Sequence, residues 1–86
     1  MSLYTPQIKK IVKTSKAPYS GFIFDVLEHD TYLELLVYRD NVESFSDPQK
    51  LALAEWLYRL KDEIEATGTK CFLGGSEGVP KRLPRK

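Results

Sequence analysis

The feature that most constrains this chain is a pair of short segments in which bulky apolar residues recur at every second position. They are Phe22-Ile23-Phe24-Asp25-Val26-Leu27-Glu28 and Thr31-Tyr32-Leu33-Glu34-Leu35-Leu36-Val37-Tyr38, separated by His29-Asp30. Strand side chains point alternately to opposite faces, so this spacing predicts a β-hairpin with one apolar face. With His29-Asp30 as a two-residue turn, the cross-strand pairs are Val26–Leu33, Phe24–Leu35 and Phe22–Val37, all apolar. The other face pairs Leu27–Tyr32, Asp25–Glu34 and Ile23–Leu36. It is mixed, and it sets two carboxylates opposite each other, which requires solvent or a compensating partner. A slip of one residue would destroy this sorting. His-Asp is a weaker turn signal than Asn-Gly, which leaves a longer loop open.

The second strong signal is helical. Ser46-Asp47-Pro48 is a helix start in which Ser46 or Asp47 caps the free N–H groups and Pro48 occupies the first turn. The helix is expected over 48–67, stopping at Gly68. Within it Leu53, Trp56, Leu57, Leu60 and Ile64 cover roughly 100° of the helical wheel, the width of a core-facing stripe. Thr69-Lys70-Cys71-Phe72-Leu73 follows as a last strand, 69–73, placed beside the hairpin. The expected fold class is therefore α+β: a small antiparallel β-sheet, from the hairpin 22–38 and the strand 69–73, with one amphipathic helix packed on one face. Trp56 is expected in the core against Phe24 and Leu35. Residues 1–75 read as one domain and 76–86, broken by Gly and Pro, as a flexible basic tail. Residues 7–13 fit a helix after Pro6 and also an edge strand.

Charge is segregated along the chain. The net charge is +1, yet residues 1–16 carry four lysines and no acid, and 81–86 carry four basic residues. The intervening stretch holds all twelve acids against five basic residues, giving −7. Such a distribution bears on partners more than on fold. The basic ends, Lys9, Lys10, Lys13, Lys81, Arg82, Arg85 and Lys86, are the candidates for contact with nucleic acid or another anion, since short Lys/Arg runs neutralise phosphates with little sequence information. Bases could also stack on sheet aromatics, but Phe22 and Phe24 are needed in the core, and Asp25 and Glu34 would repel a phosphate backbone.

Catalytic chemistry finds little to stand on. His29 is the sole histidine and reads as a solvated turn residue, and Cys71 is the sole cysteine, so neither an internal disulfide nor a thiolate metal site can form. Twelve acids in a small body make pairs such as Asp25/Glu34 and Glu55/Asp62 unavoidable without implying acid–base work. Gly74-Gly75-Ser76-Glu77-Gly78 has the composition of a phosphate loop but lacks the Lys-Ser or Lys-Thr ending and a following helix. No catalytic residue, metal ligand or cofactor is expected. No apolar stretch approaches the roughly 20 residues of a membrane span, and the N-terminus has no long apolar run after its basic residues, so no membrane association and a cytoplasmic location are expected.

What remains is binding. The expected function is a non-enzymatic protein-interaction module, an inhibitor or regulator of the kind common in phages and mobile elements. Its acidic body would imitate the phosphate array of nucleic acid, or its apolar helix patch would dock a partner. Leu51 and Tyr58 lie about 130° from the core stripe of the helix; with Tyr32, Glu34 and Asp25 of the hairpin they are the candidate partner-binding residues. Either Ile8, Ile11 and Val12 of the N-terminal segment cover that helix patch, or a protein partner or a second copy of the chain, forming a homodimer, does.

Overall fold

The computed structural model describes residues 3–18, 22, 24–38 and 42–74. Five elements follow one another: helix α1 (Pro6–Thr14), strands β1 (Phe24–Glu28) and β2 (Leu33–Val37), helix α2 (Asp47–Glu65) and strand β3 (Cys71–Gly74). The α+β class is as expected. The basic tail 76–86 lies outside the described residues.

The ambiguous N-terminal segment is a helix. Thr5 caps it, its hydroxyl accepting the Ile8 N–H at 3.3 Å, and Pro6 sits in the first turn. Ile8 is buried, and Ile11 and Val12 pack beside it on the core. Lys13 in the last turn suits the negative end of the helix dipole.

The hairpin forms with the expected faces but a different register. The pairs are Phe24↔Val37, Val26↔Leu35 and Glu28↔Leu33 on one face, and Asp25↔Leu36 and Leu27↔Glu34 on the other. One strand is shifted by two residues along the other relative to the pairing Val26–Leu33 and Phe24–Leu35. The loop has four residues, His29 to Tyr32, closed by the His29 N–H donating to the Tyr32 carbonyl at 2.9 Å. The cause is turn geometry. A two-residue type I′ turn needs positive φ at both central residues, and no described residue other than glycine has positive φ. An even slip leaves every side chain on its face. It also separates Asp25 from Glu34, which removes the like-charge pair.

The expected all-antiparallel sheet is corrected by β3, which runs parallel to β2 with register Leu33↔Cys71 and Leu35↔Leu73. The sheet is mixed, in the order β1-β2-β3. A parallel neighbour requires a crossover, and α2 is that crossover, carrying the chain back to the end of the sheet where β2 began. Helix α2 starts with a reciprocal capping box: Gln49 N–H donates to Ser46 Oγ, and Ser46 N–H donates to Gln49 Oε1 at 2.9 Å. It ends at Glu65, two residues short of the expected Thr67. There the Thr67 hydroxyl and N–H both donate to the Ile64 carbonyl, and Gly68 turns the chain at φ +93°.

Leu33, Leu35 and Val37 are buried on the helix side of the central strand. Leu33 and Leu35 pack with Ile8, Leu60, Ile64 and Cys71; Val37 packs with Val42, Ala54 and Leu57. Trp56 and Leu73 adjoin both groups. Trp56 is half-buried, and its ring meets Phe24 edge-on at 5.4 Å and Phe22 at 6.0 Å between centroids.

Two outcomes follow from this packing. Trp56→Ala should destabilise the protein by about 3 kcal/mol, the low end for a large aromatic because the ring is only half-buried; denaturant unfolding measures it. Burial pushes the Cys71 thiol up to about 11. The folded state therefore favours the neutral thiol, and the stability this gives is complete below the unfolded thiol's pKa of about 8.5 and is lost as pH rises towards the folded value. Between those limits the wild type should lose stability relative to Cys71→Ala, read as the difference between their urea midpoints.

Candidate functional site

Both helices pack on the side of the sheet that bears Leu33 and Leu35, and among the described residues no element covers the other side. Alternation assigns Asp25 and Leu27 of β1, Glu34 and Leu36 of β2, and Phe72 and Gly74 of β3 to that open side. His29, Tyr32 and Tyr38 extend it at the strand ends. Among the described residues four large apolar side chains are exposed, and three of them are here: Leu27 at 37%, Tyr38 at 41% and Phe72 at 54%. Strand β2 is central, and among the described residues the two edge strands bound this face.

At one end of the face the rings form a connected group. His29 stacks on Tyr32 with centroids 4.5 Å apart, and Tyr32 meets Phe72 edge-on at 5.2 Å. His29 Nε2 lies 2.9 Å from Glu34 Oε1, a hydrogen bond that becomes an ion pair when the ring is protonated. His29 is thus half-buried and partnered, in contrast to the solvated turn histidine expected from the sequence. At the other end the Tyr38 hydroxyl donates to the Asp25 carboxylate, and that hydrogen bond is the main cause that raises the Tyr38 hydroxyl above its ordinary range. Gly74 makes room for Glu34: a Cβ at that position would overlap the Glu34 side chain.

The five candidate partner-binding residues do not form one surface. Asp25, Tyr32 and Glu34 share the open sheet face. Leu51 and Tyr58 belong to α2, on the opposite side of the sheet. Leu51 is half exposed, whereas Tyr58 is partly buried against the group formed by Val37, Val42, Ala54 and Leu57. Ile8, Ile11 and Val12, which one expectation placed over Leu51 and Tyr58, pack instead in a different apolar group from Tyr58. Ile8 packs with Leu60 and Ile64 near the other end of α2, because Pro6 and Thr5 start a helix that lies along that half. Phe72, Leu27 and Tyr38 were not selected from the sequence. The available signal was the outward parity of Phe72 beside inward-facing Cys71 and Leu73.

Of the candidate anion contacts, Lys9, Lys10 and Lys13 are exposed on α1, away from buried Ile8. Lys9 Nζ lies 5.6 Å above the Tyr4 ring. Lys81, Arg82, Arg85 and Lys86 lie outside the described residues. Among the described residues no three His, Cys, Asp or Glu side chains come together as a metal-ligand set, and no helix is long and apolar enough to cross a membrane. No protein-family model, curated protein or solved structure matches the chain.

The fit of Glu34 over Gly74 generates a test by double-mutant cycle. Gly74→Ala should cost ~1 kcal/mol, since the side chain that must give way is flexible. In a Glu34→Ala background the same change should cost little, as measured by chemical denaturation. Equal costs in both backgrounds would show that Glu34 does not occupy that space.

Proposed function

We propose that this chain is a non-enzymatic protein-interaction module that docks a protein partner on the open face of its sheet. It acts as an inhibitor or regulator by covering the partner's surface, in the cytoplasm. The observation that supports this reading is the concentration of exposed large apolar side chains on one sheet face, framed by polar groups. Apolar patches rimmed by polar residues mark interaction sites, and aromatic residues are favoured at their centres. The chemistry of the face describes the partner. Leu27, Leu36 and Phe72 call for apolar side chains, and Asp25 and Glu34, with the negative body of the chain, call for basic ones around them.

The test compares two surfaces in one experiment. Tagged wild type, Phe72→Asp and the double variant Leu51→Glu with Tyr58→Glu are used to isolate partners from the native host, with quantitative mass spectrometry and circular dichroism of each variant. The proposal expects one partner whose recovery drops by tenfold or more, about the weight of a single strong interface residue, with Phe72→Asp. The α2 variant should retain it. Retention by Phe72→Asp and loss by the α2 variant would move the docking surface to the helix. A change in molar mass by light scattering would identify the partner as a second copy.

A second reading rests on α1. Its exposed Lys9, Lys10 and Lys13 show no ion pair among the described residues, a surface suited to the phosphate backbone of nucleic acid. This reading expects binding to fall steeply with salt, and the slope of log K against log salt to drop by about one for each lysine removed.

A further inference from the structure

Helices α1 and α2 do not close against each other along their whole length. Past the C-terminal end of α1 they leave a groove of about 260 Å3, on the helix side of the molecule. Its apolar part comes from Ile11, Trp56 and Leu60, of which Leu60 is buried and the other two are half-buried. Two cations border it, Lys16 from the segment after α1 and Arg59 from α2, together with the hydroxyls of Thr14 and Ser15. Among the described lining residues the one acid is Glu63, one turn beyond Arg59.

We infer that this groove is a binding site for a small organic anion, a carboxylate or phosphate carried on an apolar or aromatic body. Neither Lys16 nor Arg59 forms an ion pair among the described residues, although Glu63 stands four positions from Arg59 on the same helix. Two cations beside one acid give the groove a net positive charge among its described lining residues, which draws an anion towards it. The guanidinium fork matches the geometry of a carboxylate or phosphate. Trp56 supplies the surface for the body of the ligand. Its ring contacts Phe22 and Phe24, and no described residue accepts its indole N–H. Among the described residues no buried side-chain nitrogen or oxygen lacks a partner, so that N–H is not sealed from solvent. The volume is below the roughly 300–1,000 Å3 of sites for drug-sized molecules, which restricts the ligand to a small one. This inference is independent of the docking reading, because the groove and the open sheet face are on opposite sides of the sheet.

Trp56 is the chain's one tryptophan, so its fluorescence and its indole N–H resonance report on the groove directly. The full chain is titrated with benzoate and with phenyl phosphate, and separately with inorganic phosphate and benzyl alcohol as the charged and apolar halves. The expected result is a saturable response to the two aromatic anions and a weaker one to either half. Arg59→Gln and Lys16→Gln should each raise the dissociation constant roughly tenfold, the loss of one charge-assisted hydrogen bond. Lys70→Gln, away from the groove, should leave it unchanged. Both groove cations are exposed, so these variants keep the fold, as circular dichroism would verify. The inference is overturned if neither anion gives a saturable response up to the order of 10 mM, if both groove variants bind like wild type, or if benzyl alcohol binds as tightly as benzoate.

Discussion

Strand β2 is hydrogen-bonded on both edges and buried on one face, and the rest of the molecule is arranged around that combination. Its inward residues Leu33, Leu35 and Val37 are almost without solvent contact, and each needs apolar cover. Helix α2 provides most of it. To reach β2 from above and still place a strand beside it, the chain must cross over, which forces β3 to be parallel. The capping box at Ser46 and Gln49 and the left-handed Gly68 fix where that crossover starts and stops. The short helix α1 then seals the end of the core where Ile8 meets Leu60 and Ile64.

Among the described residues both helices cover one face of the three-stranded sheet, and the second face is finished by side chains. Small local arrangements do this work: His29 on Tyr32, Tyr32 against Phe72, Glu34 over Gly74, and Tyr38 on Asp25. They pair His29 with Glu34 and Tyr38 with Asp25 but leave Leu27 and Phe72 in contact with water. The functional reading follows from that imbalance between the two faces, and it requires no catalytic group.

Much of this was legible in the sequence, for identifiable reasons. The assignment of Phe24, Val26, Leu33, Leu35 and Val37 to one face depended only on alternation, and alternation survives a slip of two residues. The register itself was not legible, because it depended on whether His29 and Asp30 would adopt positive φ. The core stripe of α2 was visible in the spacing of Leu53, Leu57, Leu60 and Ile64, all of them buried. The direction of β3 was encoded in the order strand, helix, strand, a stronger guide than the antiparallel hairpin before it. The partner-binding set was only half coherent. Asp25, Tyr32 and Glu34 were grouped with Leu51 and Tyr58 by exposure, and exposure alone does not say which side of a sheet a residue is on. Phe72 was hidden for a related reason: in a four-residue strand, one outward aromatic reads like part of an apolar run.

The central claim is that one sheet face is sealed and the other open. Hydroxyl-radical footprinting of the dilute protein, read residue by residue by mass spectrometry, tests it most directly. The account predicts heavy labelling of Phe72, Tyr38 and Leu27, partial labelling of Trp56, and protection of Leu33, Leu57 and Leu60. Protection of Phe72 and Tyr38 at a concentration where the chain is monomeric, or labelling of Leu33 and Leu57 comparable to theirs, would contradict it.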